Sequence, residues 1–234
     1  MKKIFLLSAL LVAGVAANAQ NIQLHYDFGR NMYSDDESGR QNFTITYEKF
    51  SADALGSWFY FIDMDINQHG SAGAYTEVSR EFNVGNKGFA AHVEYDGGLN
   101  LGGSFQTSAL IGPAWNGHNE DFSTTYSVQV LYKQFFGHGD FEAYSSAQLT
   151  GVWSTTFAQG KCTFSGFADV WSEKAWWGGR HLVFLSEPQL WYNVNSKISL
   201  GTEVEVSSNF IYSGQTGKND KFYINPTLAV KFNL

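Results

Sequence analysis

The chain closes on a strict alternation. In YINPTLAVKFNL, residues Ile224, Pro226, Leu228, Val230, Phe232 and Leu234 take every second position, with Asn225, Thr227, Ala229, Lys231 and Asn233 between them. A period of two is the repeat of a β-strand, so the segment has one apolar face and one mostly polar face. The pattern recurs upstream. IQLHYDFGR sets Ile22, Leu24, Tyr26 and Phe28 against Gln23, His25 and Asp27. NFTITYEKF sets Phe43, Ile45 and Tyr47 against Thr44, Thr46 and Glu48, and SWFYFIDMDIN sets Trp58, Tyr60, Ile62, Met64 and Ile66 against Phe59, Phe61, Asp63 and Asp65. These strands are predicted over 22–30, 42–50 and 57–67. Further strands are predicted near 75–84, 89–97, 104–114, 123–134, 141–153, 161–171, 181–192, 197–208 and 221–234.

A soluble β-sandwich alternates in the same way, but its strands average about five or six residues. The runs here are near ten, the length of a tilted strand that crosses a bilayer. The expected fold is therefore all-β, a single transmembrane antiparallel β-barrel of about twelve strands, with the apolar face towards lipid and the polar face lining a lumen. Connection lengths agree in part. VGNKG and NVNSK fit short periplasmic turns, while SDDESG, SEKAWWGGRH and NFIYSGQTGKND fit longer outer loops. QFFGHGD falls where an outer loop is expected and is short, which keeps ten and fourteen strands open as alternatives.

Residues 1–19 stand apart. Lys2 and Lys3, an apolar run from Ile4 to Val15 and Ala17-Asn18-Ala19 before Gln20 have the form of a secretory signal peptide. The expected organisation is a signal peptide over 1–19, exported through the Sec pathway, and a barrel domain over 20–234. Losing the two lysines takes the formal charge from −7 to −9, which argues against nucleic-acid binding. The one cysteine, Cys162, excludes an internal disulfide and a cysteine metal cluster. Aromatic residues make up 17% of the chain and there are 24 glycines, a composition suited to a barrel with aromatic girdles. No stretch after residue 20 is apolar for long enough to span a membrane as a helix.

Parity assigns the lumen. Asp27, Glu48, Phe59, Phe61, Asp63, Asp65, Glu77, Glu81, His92, Glu94, Phe167, Asp169, Trp171, Glu187, Glu203 and Glu205 fall on the polar face, with Lys231 as a possible partner. Phenyl rings in a hydrated lumen gain if a planar solute stacks on them, and carboxylates beside them accept hydrogen bonds from hydroxyl or amino groups. The blander reading is that Phe59 and Phe61 fill the periplasmic end of the lumen and the acids are merely hydrated. Strict alternation puts Arg80 outward, so it sits near an interface, where the cost of roughly 2–4 kcal/mol at mid-bilayer is relieved, or a bulge turns it inward. The AWWGGRH segment reads as an interfacial aromatic belt or as a lid over the mouth.

TYEKF, a short turn and SWFYFIDMDI resemble the second hairpin of the Tsx-like family of nucleoside-specific outer-membrane channels. The resemblance rests on Tyr47, Glu48, Phe50, Trp58, Phe59, Phe61 and Asp65, then on Glu77 and Phe82 in YTEVSREFNV and on Gly166, Phe167 and Trp171 in CTFSGFADVWSE. It is shared with an uncharacterised branch of exported proteins of this length. The family ends in an aromatic residue, whereas this chain ends in Leu234. The resemblance implies a narrow monomeric channel in the outer membrane of a Gram-negative-type bacterium, passing nucleosides or similar small polar solutes by diffusion. It implies no catalysis and no cofactor. Substrate-binding lumen residues are then expected at Asp27, Glu48, Phe59, Phe61, Asp63, Asp65, Glu77, Glu94, Phe167, Asp169, Trp171 and Glu203. Expected partners are outer-membrane lipid, the nucleoside-like solute and the barrel-assembly machinery, which would read the strand Tyr223 to Leu234.

Two other classes compete. A lipid-modifying barrel enzyme would need a pair such as Ser146 or Ser165 with His25 or His92, but these histidines fall on the lumen face and no Gly-x-Ser-x-Gly motif is present. A structural or adhesive barrel would be expected to balance its lumen charges, and this lumen is lopsidedly acidic. The six histidines show no ligand spacing, so no histidine metal site is expected.

Overall fold

Inward and outward positions alternate along every long strand of the computed structural model, which describes residues 18–139 and 141–234. The strands are β1 (Asn18–Asp27), β2 (Phe43–Asp53), β3 (Gly56–Asn67), β4 (Gly70–Asn83), β5 (Phe89–Asn100), β6 (Gly103–Ser104), β7 (Ser108–His118), β8 (Thr124–Phe135), β9 (Tyr144–Phe157), β10 (Cys162–Lys174), β11 (Arg180–Ser186), β12 (Gln189–Asn193), β13 (Ile198–Ser208) and β14 (Phe222–Asn233). One short helix, α1 (Gly29–Met32), follows β1.

All pairings are antiparallel, and the sheet closes where β14 meets β1, with Ile22 opposite Phe232 and Tyr26 opposite Leu228. Closure removes every free edge, which a strand exposed to lipid requires. The barrel has twelve strand positions. β11 and β12 share one of them, both pairing with β10 and β13, and Pro188, which has no N–H to give the ladder, lies between them. The two-residue β6 is a spur on β5.

The twelve predicted strands are all present, with shifted ends. The predicted 22–30 strand stops at Asp27, because Phe28 to Met32 turn into α1 as the Gly29 amide bonds back to Asp27 Oδ1 at 2.6 Å. The predicted 104–114 strand is displaced to Ser108–His118. Gly70 to Ala74, expected in a loop, belong to β4 and leave only Gln68 and His69 as the turn. The segment expected to be a signal peptide lies, through residue 17, outside the described residues.

Outward positions carry the apolar belt: Leu24, Ile111, Val130, Leu149, Leu182, Leu200 and Leu228 are all exposed on the barrel surface. Aromatic side chains mark its rims, with Trp58, Phe82, Phe89 and Trp115 towards the end that carries the β2–β3 and β4–β5 turns. The Arg80 alternatives resolve to the rim. Arg80 stands opposite Trp58 near the 53–56 turn, bonded to Asp53 at 2.8 Å and lying 5.1 Å from the ring centroids of both Trp58 and Phe82. In that turn Asp53 Oδ1 accepts the Leu55 and Gly56 amides, and a Cβ on Gly56 would come within 2.0 Å of the Glu81 carbonyl oxygen.

Candidate functional site

Neighbouring strands bring separate sequence motifs into rows across the lumen wall. Glu48 stands opposite Phe61, Phe61 opposite Glu77, and Glu77 opposite Asp96. The rings of Phe59 and Phe61 are 6.1 Å apart, and that of Phe61 is 6.0 Å from Tyr75, whose hydroxyl donates to Glu77 Oε1 at 2.8 Å. One step towards the outer mouth, Thr46 donates to Asp63 and Thr44 to Asp65. Glu48 accepts from Asn21 at 3.1 Å, and Glu203, on the far side of the closing seam, accepts from Gln189 at 2.6 Å. Phe59, Phe61, Asp63, Asp65, Glu48, Glu77 and Glu203 thus share the wall from β2 to β4 and the facing β13.

The second group lies on β4, β5 and β10. Glu94 is bonded to His92, whose other nitrogen meets Glu81. Asp169 is directed inward with Oδ1 buried and without a hydrogen-bond partner. Phe167 sits one step away on the same face, opposite Val152. Two residues of the expected set are taken up by the protein. Trp171 is buried in an apolar cluster with Phe135, Tyr144 and Val183, its indole donating to Glu173 at 2.9 Å. Asp27 is buried beneath Arg40. The histidines of the competing enzyme reading are held by non-nucleophilic partners as well as a threonine: His25 by Gln23 and Thr227, His92 by the two glutamates.

Alternation says nothing about the most consequential element at the mouth. Residues 28–42 fold into the barrel. Arg40 Nη2 reaches Asp27 Oδ2 at 2.7 Å and Glu205 Oε2 at 3.0 Å, and its Nε lies 3.5 Å from Glu37 Oε2. Asn225 on β14 donates to both oxygens of Glu37 at 3.1 Å. Tyr33 packs edge-on against Tyr223 at 5.1 Å. From the last outer loop Lys221 bonds Asp36 at 2.7 Å and Ser213 donates to the same carboxylate. A Cβ on Gly29 would lie 2.6 Å from Asn225 Oδ1, so this close approach needs glycine.

The electrostatics of this lid are divided. Hydrogen bonds from Lys221 and Ser213 hold the Asp36 carboxyl below its usual range. Burial pushes Glu37 up, against the pull of Arg40 and Asn225. Burial opposes the charge on Arg40, yet the carboxylates of Glu205 and Asp27 overcome it and raise the guanidinium's proton affinity. The only sequence signal for this element is a lone Arg40 after the acidic run SDDESG.

Next to the lid lies a cavity of about 210 Å³. Gly39 and Gln41 of the lid form one side, and Asp63, Asp65, Tyr75, Asn100 and Phe105, with residues 72–74 of β4, form the rest. Two carboxylates, two amides and two aromatic rings therefore meet in one place. Alternation does not point to Asn100 or Phe105: Asn100 ends β5, and Phe105 lies in the connection between β6 and β7.

Three solved structures resemble this one. The NanC porin matches with a TM-score of 0.59 at 12% identity, over 92% of this chain and 100% of that chain. The KdgM porin matches with a TM-score of 0.50 at 12% identity, over 92% and 99%. LpxR from Salmonella typhimurium matches with a TM-score of 0.47 at 10% identity, over 92% and 99%. At such identities the likeness to the two porins is one of fold, a porin-like barrel. No curated protein sequence matches the chain. Residues 19–234, the whole barrel, match the family described as Domain of unknown function (DUF5020), and the chain belongs to that family.

Proposed function

We propose that this chain is an outer-membrane channel through which small polar solutes, neutral or cationic and nucleoside-like in size, diffuse between weak sites in the lumen. The carrying observation is the combination at the cavity: Asp63 and Asp65 beside Tyr75 and Phe105, with Phe61 and Phe59 continuing inward along the same face of β3. Planar rings stack on aromatic side chains, and carboxylates take the hydrogens of ribose hydroxyls or base amino groups. The weakness of such contacts suits a pore, which must attract a solute and release it. The outward apolar belt supports membrane insertion, and the excess of inward acids supports a hydrated path that disfavours anions.

The lid sets the state of the pore. With residues 28–42 docked, the cavity is smaller than the roughly 300–1,000 Å³ of most small-molecule pockets. In this reading a shift of the lid enlarges the cavity to take a whole nucleoside, and Arg40 is the residue that holds the lid. The channel acts as a monomer, and β14 is the strand read by the assembly machinery.

Single-channel recording of the refolded protein, with adenosine, thymidine and glucose added in turn, tests this reading. Concentration-dependent block by the nucleosides and not by glucose is the expected result. Steady conductance without block removes the nucleoside preference. Absence of conductance from protein with heat-modifiable gel mobility removes the channel.

A further inference from the structure

One carboxylate oxygen from each of Glu77, Glu94 and Asp96 lies within 4.8 Å of the other two. Glu77 belongs to β4, and Glu94 and Asp96 to β5 on the same inward face, so adjacent strands hold the three groups in register. Asp96 is 95% buried, and only one of its oxygens is used: Oδ2 accepts from Ser108 at 2.8 Å and meets Lys133 Nζ at 3.2 Å, while Oδ1 is buried without a hydrogen-bond partner. Asp169, facing the cluster from β10, interacts electrostatically with Glu94 and Asp96 and has its own buried, unpartnered Oδ1. Lys133 and His92 are the positive or ionisable groups bonded to these acids, and His92 is shared with Glu81.

We propose that Glu77, Glu94 and Asp96 form a binding site for a divalent, oxygen-seeking cation of the calcium type in the barrel wall. Asp96 Oδ1 is buried without a hydrogen-bond partner in the structure, and ionised carboxylates within 4.8 Å of one another repel. A hard cation removes both costs. Calcium takes roughly six to eight oxygens in a flexible arrangement, which three carboxylates, each binding through one or both oxygens, and water can supply. The donor set is all oxygen, which disfavours zinc and copper relative to calcium. Tyr75, two residues along β4, holds Glu77 by its 2.8 Å hydrogen bond, as an outer partner orients a ligand. Lys133 is the site's internal competitor, since its ammonium neutralises part of the charge the ion would meet. The sequence hid the site because its ligands are single carboxylates on two strands and no short motif contains them.

Terbium luminescence of the folded full-length protein in detergent, excited through its aromatic residues and competed with calcium, tests the site. Saturable terbium binding displaced by calcium is expected. The pair Glu77→Gln with Asp96→Asn should weaken it by about tenfold or more, because affinity follows the charge count of the ligands. Lys133→Gln should tighten it by roughly several-fold, because a competing cation is gone. Asp36→Asn, in the lid, should leave it unchanged. If the double variant fails to fold, Glu94→Gln alone, expected to weaken binding, and Lys133→Gln, expected to strengthen it, decide. Wild-type protein that shows no saturable terbium signal overturns the proposal, as does full affinity in a folded Glu77→Gln, Asp96→Asn variant.

Discussion

Arg40 and Glu205, 165 residues apart in the sequence, meet at 3.0 Å at the end of the barrel where residues 28–42 dock. The same guanidinium holds Asp27 at 2.7 Å, so one side chain ties the lid to the wall on both sides of the closing seam. The lid is therefore a docked element whose position depends on a few charge-assisted bonds.

Arg40→Gln should release it. Hydrogen bonds to charged groups contribute about 1.5–3 kcal/mol each, so amide hydrogen exchange over residues 31–41 should accelerate by about tenfold or more. Single-channel conductance should rise in parallel. Unchanged exchange and conductance in a folded Arg40→Gln barrel would mean that the lid is held by packing alone.

Glu37 gives the lid a pH dependence. Burial raises its pKa above 4.5, so the docked lid takes up a proton more readily than a free loop. Docking is fullest below that ordinary value and weakens as pH rises through the raised one. Asp36 has the opposite sign: its contribution is present above 3.8 and is lost as pH falls through its lowered value. Conductance is accordingly expected to fall as pH drops from neutrality towards the ordinary carboxylate range, and Glu37→Gln should flatten that slope. A slope of unchanged size in Glu37→Gln assigns the effect to other groups.

The aromatic face has its own signature. Stacking of a base on an aromatic ring contributes about 1–3 kcal/mol, so Phe61→Ala or Phe59→Ala should weaken block by adenosine by roughly five- to a hundredfold and leave that by plain sugars nearly unchanged. Equal loss for both solutes would remove stacking. Asp63→Asn with Asp65→Asn should lower the preference for cations over anions, read as a shift in reversal potential across a salt gradient. An unmoved potential would place the selecting charges deeper in the lumen.

The β2–β3 turn predicts a folding defect. Gly56→Ala puts a methyl group 2.0 Å from the Glu81 carbonyl oxygen, and the backbone must move. The expected loss is more than about 1 kcal/mol, visible as a lower midpoint in urea unfolding from detergent. A wild-type midpoint would show that the turn relaxes freely.

The strands and their faces were legible because a spanning strand leaves each side chain only two surroundings, lipid or lumen. Thus β14 has the expected apolar side, Ile224 to Leu234, and Lys231 is inside, 3.9 Å from the Trp191 ring centroid. Where that constraint fades, so does the reading. Gly70 to Ala74 are small on both faces and show no contrast, yet they pair with β3 and β5. The acids at 63, 65, 77 and 94 could be placed on a face but not in a row, because strand stagger decides which of them are neighbours. The lid was out of reach altogether, since the partners of Arg40 and Glu37 lie at positions 27, 205 and 225 and no local period links them.

Those partners belong to β1, β13 and β14, the first and the last strands to be made. Joining chain ends is the slowest contact for a polypeptide to find, because it closes the longest loop. Of the lid's partners, Asp27 is at hand from the start but Glu205 and Asn225 arrive only with that contact, so the lid settles fully only after closure. Bonds formed after the barrier retard the reverse step and leave the forward one almost untouched. The element that narrows the pore should for this reason also lengthen the life of the closed barrel.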